Sequence, residues 1–92
     1  MRIEKKPKFL KELLCILRYI KKDKVSASIQ FEKELNKKIK NLIDFPYQYR
    51  ASYYFEDTSY RDLIHQGYTI IYKVEIERIV ILEIFKWQDR YR

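Results

Sequence analysis

One histidine and one cysteine are the first side chains to examine for chemistry in this 92-residue chain. His65 stands at the end of the run Arg61-Asp62-Leu63-Ile64-His65, just before Gln66-Gly67. An imidazole titrates near neutral pH, so the sole histidine is the obvious general-base candidate. A tuned base needs a second partner, and the sequence names none. A solvated histidine beside a turn is therefore the plainer reading. Cys15 falls among lysines, a setting that favours thiol reactivity, but an incidental surface cysteine is the economical reading. One His and one Cys do not make a zinc-ligand set, so no metal is expected. A chain with a single glycine has no Gly-rich phosphate loop, and no cofactor is expected.

Charge gives a second kind of site. The net charge is +7, and it is unevenly spread. Residues 1–24 hold nine Lys/Arg against three Asp/Glu, whereas residues 47–92 hold seven of each. The basic excess thus lies on the N-terminal segment, where it suits nucleic acid or an acidic protein. The single cysteine excludes an internal disulfide and fits a reducing, cytoplasmic setting. No apolar stretch approaches the ~20 residues of a membrane span. The N-terminal segment has an apolar pattern interrupted by Lys and Glu, unlike the unbroken core of a signal peptide.

These groups have to be positioned by the elements around them. Residues 1–5, with β-branched Ile3, read as a short first strand bounded by Pro7. Phe9, Leu10, Leu13, Ile16, Leu17 and Ile20 recur at steps of three and four, one apolar face of a first helix. Lys8, Lys11, Cys15, Arg18 and Lys22 fall on its opposite face. Asp23 is a candidate N-cap for a second helix, carrying Ala27, Phe31, Leu35, Ile39 and Leu42 and ending near Asp44, since Pro46 disfavours helix at Phe45. The short connection predicts an antiparallel helical hairpin.

Residues 45–60 hold seven aromatics without helical period. In them Arg50-Ala51-Ser52-Tyr53-Tyr54-Phe55 reads as a strand and the following Glu56-Asp57-Thr58-Ser59 as a turn. Three more segments read as strands: Arg61–His65, Tyr68–Glu75 and Ile79–Lys86. Pairing Val74 with Val80, Tyr72 with Leu82 and Ile70 with Ile84 puts these six on one face. Thr69, Ile71, Lys73, Glu83 and Phe85 then form a mixed face that the chain's own elements leave accessible. The expected class is α+β over one domain, residues 1–92: an N-terminal helical hairpin packed on one face of a small, mainly antiparallel twisted sheet.

The pattern resembles the RelE/ParE superfamily, the toxins of type II toxin–antitoxin systems. It is carried by Arg61-Asp62-Leu63-Ile64, Gly67-Tyr68, Ile70-Ile71-Tyr72-Lys73-Val74 and Ile81-Leu82-Glu83-Ile84-Phe85, and it extends over nearly the whole chain. The resemblance implies a cognate antitoxin, usually acidic, and one of two targets. ParE-like members inhibit DNA gyrase; RelE-like members are endoribonucleases that cut mRNA on the ribosome. A degenerate member would bind its antitoxin without toxicity. Fold alone does not separate these.

Cleavage through a ribose 2′-hydroxyl needs a base, cations for the transition state and an acid for the leaving oxygen. By resemblance the candidates are Arg61, His65, Lys73, Arg90 and Tyr91. Leu63 and Thr69 stand where nucleases of the family usually carry further basic residues, so the cationic cluster is thin. The gyrase-directed branch asks less of single residues and is favoured here. Its implied target-binding residues are Lys86, Trp87, Arg90 and Arg92, with an aromatic and arginines as interface anchors. The basic back of the first helix, Lys8, Lys11, Arg18 and Lys22, suits an acidic antitoxin, although a solvated lysine face would look the same.

Overall fold

The computed structural model describes residues 1–86. Seven elements follow one another: β1 (Arg2–Lys5), α1 (Pro7–Asp23), α2 (Val25–Asn41), β2 (Arg50–Ala51), β3 (Tyr60–His65), β4 (Tyr68–Val74) and β5 (Arg78–Lys86). The described strands form one sheet in the order β1-β5-β4-β3-β2. β1 runs parallel to β5, and the other neighbours are antiparallel. The fold is α+β, as the sequence predicts, with the first strand making the sheet mixed.

Local chemistry explains the helices. Pro7 occupies the first turn of α1, where its missing N–H costs nothing. Lys21 and Lys22 lie in the last turn, favourable to the negative end of the helix dipole. The two helices are separated by one extended residue, Lys24 (φ −158°, ψ 118°). Asp23 is therefore not the cap expected from sequence. It is still helical, as the last residue of α1, and Lys24 takes the cap position with no side-chain bond. The Ser28 hydroxyl donates to the Leu17 carbonyl at 3.0 Å and ties the hairpin together.

Phe9 and Leu13 of α1 pack with Phe31, Leu35 and Ile39 of α2 on one face of the sheet. The sheet contributes Leu63, Ile70, Tyr72, Val74, Ile79, Ile81 and Ile84 to this core. Leu10, expected inside, is 48% exposed, as is Leu14. Both lie off the centre of the buried arc that Phe9 and Leu13 define. The Tyr72 hydroxyl leaves the core to donate to the Pro46 carbonyl at 2.7 Å. Burial pushes its pKa up to about 12, so it stays a donor.

The β4–β5 register departs from the regular pairing. Ile70 faces Ile84 as expected, but Tyr72 pairs with Ile81 and Val74 with Ile79. A bulge opposite Ile71 and Tyr72 causes the slip. Ile79, Ile81 and Ile84, spaced two and then three apart, thereby all reach the helix side. Val80, paired with Lys73, goes to the other face. β3 and β4 meet in a two-residue turn with positive φ at Gln66 (50°) and Gly67 (84°), the geometry that matches strand twist.

The second sheet face is not left open. Thr69, Ile71 and Val80 there are 3%, 0% and 3% exposed. The segment after β2 folds back across this face, and only Arg50–Ala51 pairs as a strand. The longer strand expected from 50 to 55 is replaced by turns held by side chains. Asp62, 1% exposed, accepts the Tyr53 N–H at 2.9 Å and Arg50 Nη2 at 3.3 Å through Oδ2. Tyr54 sets its ring edge against Phe85 with centroids 5.3 Å apart, and Phe55 stacks on Tyr60 at 4.2 Å. Asp57 accepts the Ser59 amide and hydroxyl at 2.9 and 2.8 Å, which holds its carboxyl below the usual range and closes the turn.

Candidate functional site

The strand register places the three described nuclease candidates apart. Arg61 pairs with Tyr72 and so lies on the helix side at the far end of β3. Its Nε donates to the Thr58 carbonyl at 2.9 Å and its Nη1 to the Tyr49 carbonyl at 3.2 Å. The guanidinium also lies 4.7 Å over the Tyr47 ring. Three contacts to loop backbone and ring make it a clasp for residues 47–58. Lys73 pairs with Tyr60 on the opposite face. Its ammonium lies 5.1 Å over that ring and 3.9 Å from Glu75.

His65 is not the solvated turn residue expected from sequence. It is 1% exposed, with its ring 4.7 Å edge-on to Phe31. Nε2 lies 3.2 Å from the Phe31 carbonyl, which can only accept, so Nε2 carries the proton. Nδ1 is buried without a partner among the described residues. Burial lowers the imidazole pKa, with Lys38 adding to the effect and the Phe31 bond and Glu34 opposing it. The strand direction explains the burial: Leu63 and His65 share one parity and both face α2. Arg90 and Tyr91 lie outside the described residues.

The proposed antitoxin face is less uniform than its sequence. Lys11, Arg18 and Lys22 are exposed. Lys8 is engaged: its ammonium contacts Glu12 at 2.6 Å and Glu83 at 3.1 Å. The Glu12 hydrogen bond is the main cause of its raised pKa. Glu12 also accepts the Ile84 amide at 3.0 Å through Oε1. Sequence reading passes over Glu12, a lone acid among basic residues, because its role depends on the β5 bulge. Asp62 is missed for a similar reason, since its partners come from a segment without periodicity. Of the target-binding candidates, Lys86 ends β5 with its ammonium 5.8 Å from the ring centres of both Tyr19 and Tyr68. Trp87, Arg90 and Arg92 lie outside the described residues.

Two N-terminal helices on a five-stranded mixed sheet define the architecture shared with toxins of the RelE/ParE kind. A family model described as "ParE toxin of type II toxin-antitoxin system, parDE" matches residues 3–91. The chain belongs to this ParE toxin family. Among solved structures, one titled "Chromosomal ParDE TA system from P. aeruginosa" is similar with a TM-score of 0.74. That match covers 94% of this chain and 95% of the other at 19% identity, a likeness of fold. Comparison with curated proteins gives no match.

Proposed function

We propose that this chain is the toxin of a type II module that inhibits DNA gyrase and is neutralised by a cognate acidic antitoxin in the bacterial cytoplasm. Family membership supports the module. The observation that favours gyrase over mRNA is the dispersal of the candidate nuclease groups. Arg61 and Lys73 are on opposite faces, and His65 is sealed against α2. General acid–base cleavage requires groups that converge within hydrogen-bond reach of one phosphate, directly or through one water. On this reading the toxin's action requires no catalytic set. Lys86 and the segment that follows it, with Trp87, Arg90 and Arg92, contact the target.

A supercoiling assay with purified gyrase, run beside ribosome-bound mRNA, tests the proposal. Loss of supercoiling or trapped gyrase–DNA breaks with intact mRNA is the expected result. Cleaved mRNA with unaffected gyrase would replace the proposal with the nuclease reading and direct mutagenesis to Lys73 and Arg90. A folded protein inactive in both assays and harmless on expression would mark a member that only binds its antitoxin.

A further inference from the structure

β1 and β5 pair only from Arg2↔Arg78 to Lys5↔Ile81. The last bond runs from the Lys6 amide to the Ile81 carbonyl at 2.9 Å. Pro7 then turns the chain into α1, while β5 continues to Lys86. From Leu82 to Lys86 the outer edge of β5 has no strand beside it among the described residues. That is about 17 Å of edge at ~3.3 Å per residue. The bulge turns the Ile84 amide outward, where Glu12 Oε1 accepts it at 3.0 Å. A side-chain carboxylate thus stands where the carbonyl of a neighbouring strand would be.

Beside this edge, between α1 and the ends of β4 and β5, lies an open groove of about 510 Å³. Its apolar part is formed by Ile16, Tyr19, Tyr68 and Phe85, with Cys15 among them. Lys11 and Lys86 also line it, and neither has a carboxylate partner among the described residues. Natural sheets blunt or cover their edges, and one carboxylate on one amide is a small cover for five residues.

We propose that the β5 edge from Leu82 to Lys86 is a strand-addition site for an extended acidic segment of a protein partner. Under the function proposed above, on which this inference rests, that partner is the antitoxin. An incoming backbone carbonyl takes the Ile84 amide. Glu12 keeps Lys8, which already contacts its other oxygen at 2.6 Å. Side chains on one side of the incoming strand enter the groove, and its acidic residues meet Lys11 and Lys86. An extended segment fits better than a helix, because the edge offers outward backbone groups that a helix, bonded within itself, does not satisfy.

The test uses the full chain in complex with the antitoxin encoded beside it. Hydrogen exchange at the Ile84 and Lys86 amides is expected to slow by about tenfold or more on binding. Alkylation of Cys15 by N-ethylmaleimide should slow comparably. Lys11→Glu and Lys86→Glu should each weaken binding by about tenfold, while Arg18→Glu and Lys22→Glu, outside the groove, change it less than about threefold. A bound antitoxin that leaves these amides and Cys15 unprotected would overturn the site and spare the toxin–antitoxin reading. Losses at Arg18 and Lys22 equal to those at Lys11 and Lys86 would move the interface to the back of α1 and overturn it also. A folded chain that fails to bind the antitoxin at all would remove both.

Discussion

The two faces of the sheet are covered in different ways. Toward the helices, Phe9, Leu13, Phe31, Leu35 and Ile39 press regular apolar stripes onto Leu63, Ile70, Ile79 and Ile84. On the other face, residues 52–60 form a roof with almost no repeating structure. Its attachments are specific: a Tyr53 amide on a buried carboxylate, a Tyr54–Phe85 edge contact and a Phe55–Tyr60 stack. One face is secured by area, which is non-directional and tolerant. The other is secured by a few directional contacts, each of which matters by itself. The helix face should therefore control global stability and the roof local opening.

The largest effect should come from Leu35→Ala, which empties a fully buried position between α2 and the sheet. The loss is about 2–5 kcal/mol, and for a domain of this size a melting temperature lower by roughly 10 °C or more. Thermal unfolding followed by circular dichroism reads it. A shift of only a degree or two would mean that the helices are not the main anchor.

Asp62→Ala should follow, at about 1–3 kcal/mol, because it strands the Tyr53 amide in a buried place. The comparison makes a sharper demand here. Exchange at the Tyr53 and Tyr54 amides should accelerate by far more than the melting temperature falls. A melting loss as large as that of Leu35→Ala, with no preferential loosening of 52–60, would show that the two faces unfold as one unit.

Tyr72→Phe tests the link between the faces, since Tyr72 belongs to the helix-side core while its hydroxyl holds Pro46 at the start of the irregular segment. The expected cost is about 1 kcal/mol, measured by urea denaturation. No change in midpoint would mean that the Pro46 carbonyl finds another donor.

This contrast also sets what could be read in advance. The stripes of α1 and α2 obey the 3.6-residue period, so most of the hairpin's core face follows from spacing. Leu10 slipped out because a stripe defines an arc, and residues on its margin are placed by neighbouring elements. In β5 the signal was present but read with too regular a rule: Ile79, Ile81 and Ile84 break strict alternation, and a bulge accommodates the break. The roof was not legible, because Asp62 and Tyr53 are joined by a long-range hydrogen bond and no local period records it. His65 was legible and misplaced. It shares the parity of Leu63, and proximity to a glycine turn says less about exposure than that parity does.

His65 offers the gentlest probe of the helix face. Its imidazole is held neutral by burial, with Lys38 reinforcing and the Phe31 carbonyl and Glu34 opposing. The folded pKa therefore lies below the ordinary 6.5, which the unfolded chain retains. As pH falls through that ordinary value, the unfolded chain takes up a proton that the native state refuses. This contribution is then fully present above neutral pH and declines from about pH 6.5 toward the lower folded pKa. Urea midpoints at pH 7.5 and 5.5 should fall more in the native sequence than in His65→Phe, whose ring has no proton to gain. The difference between the two slopes isolates this group from the carboxylates. Equal slopes would mean that the imidazole is hydrated in solution, and that the seal between α2 and β3 is looser than its packing against Phe31 indicates.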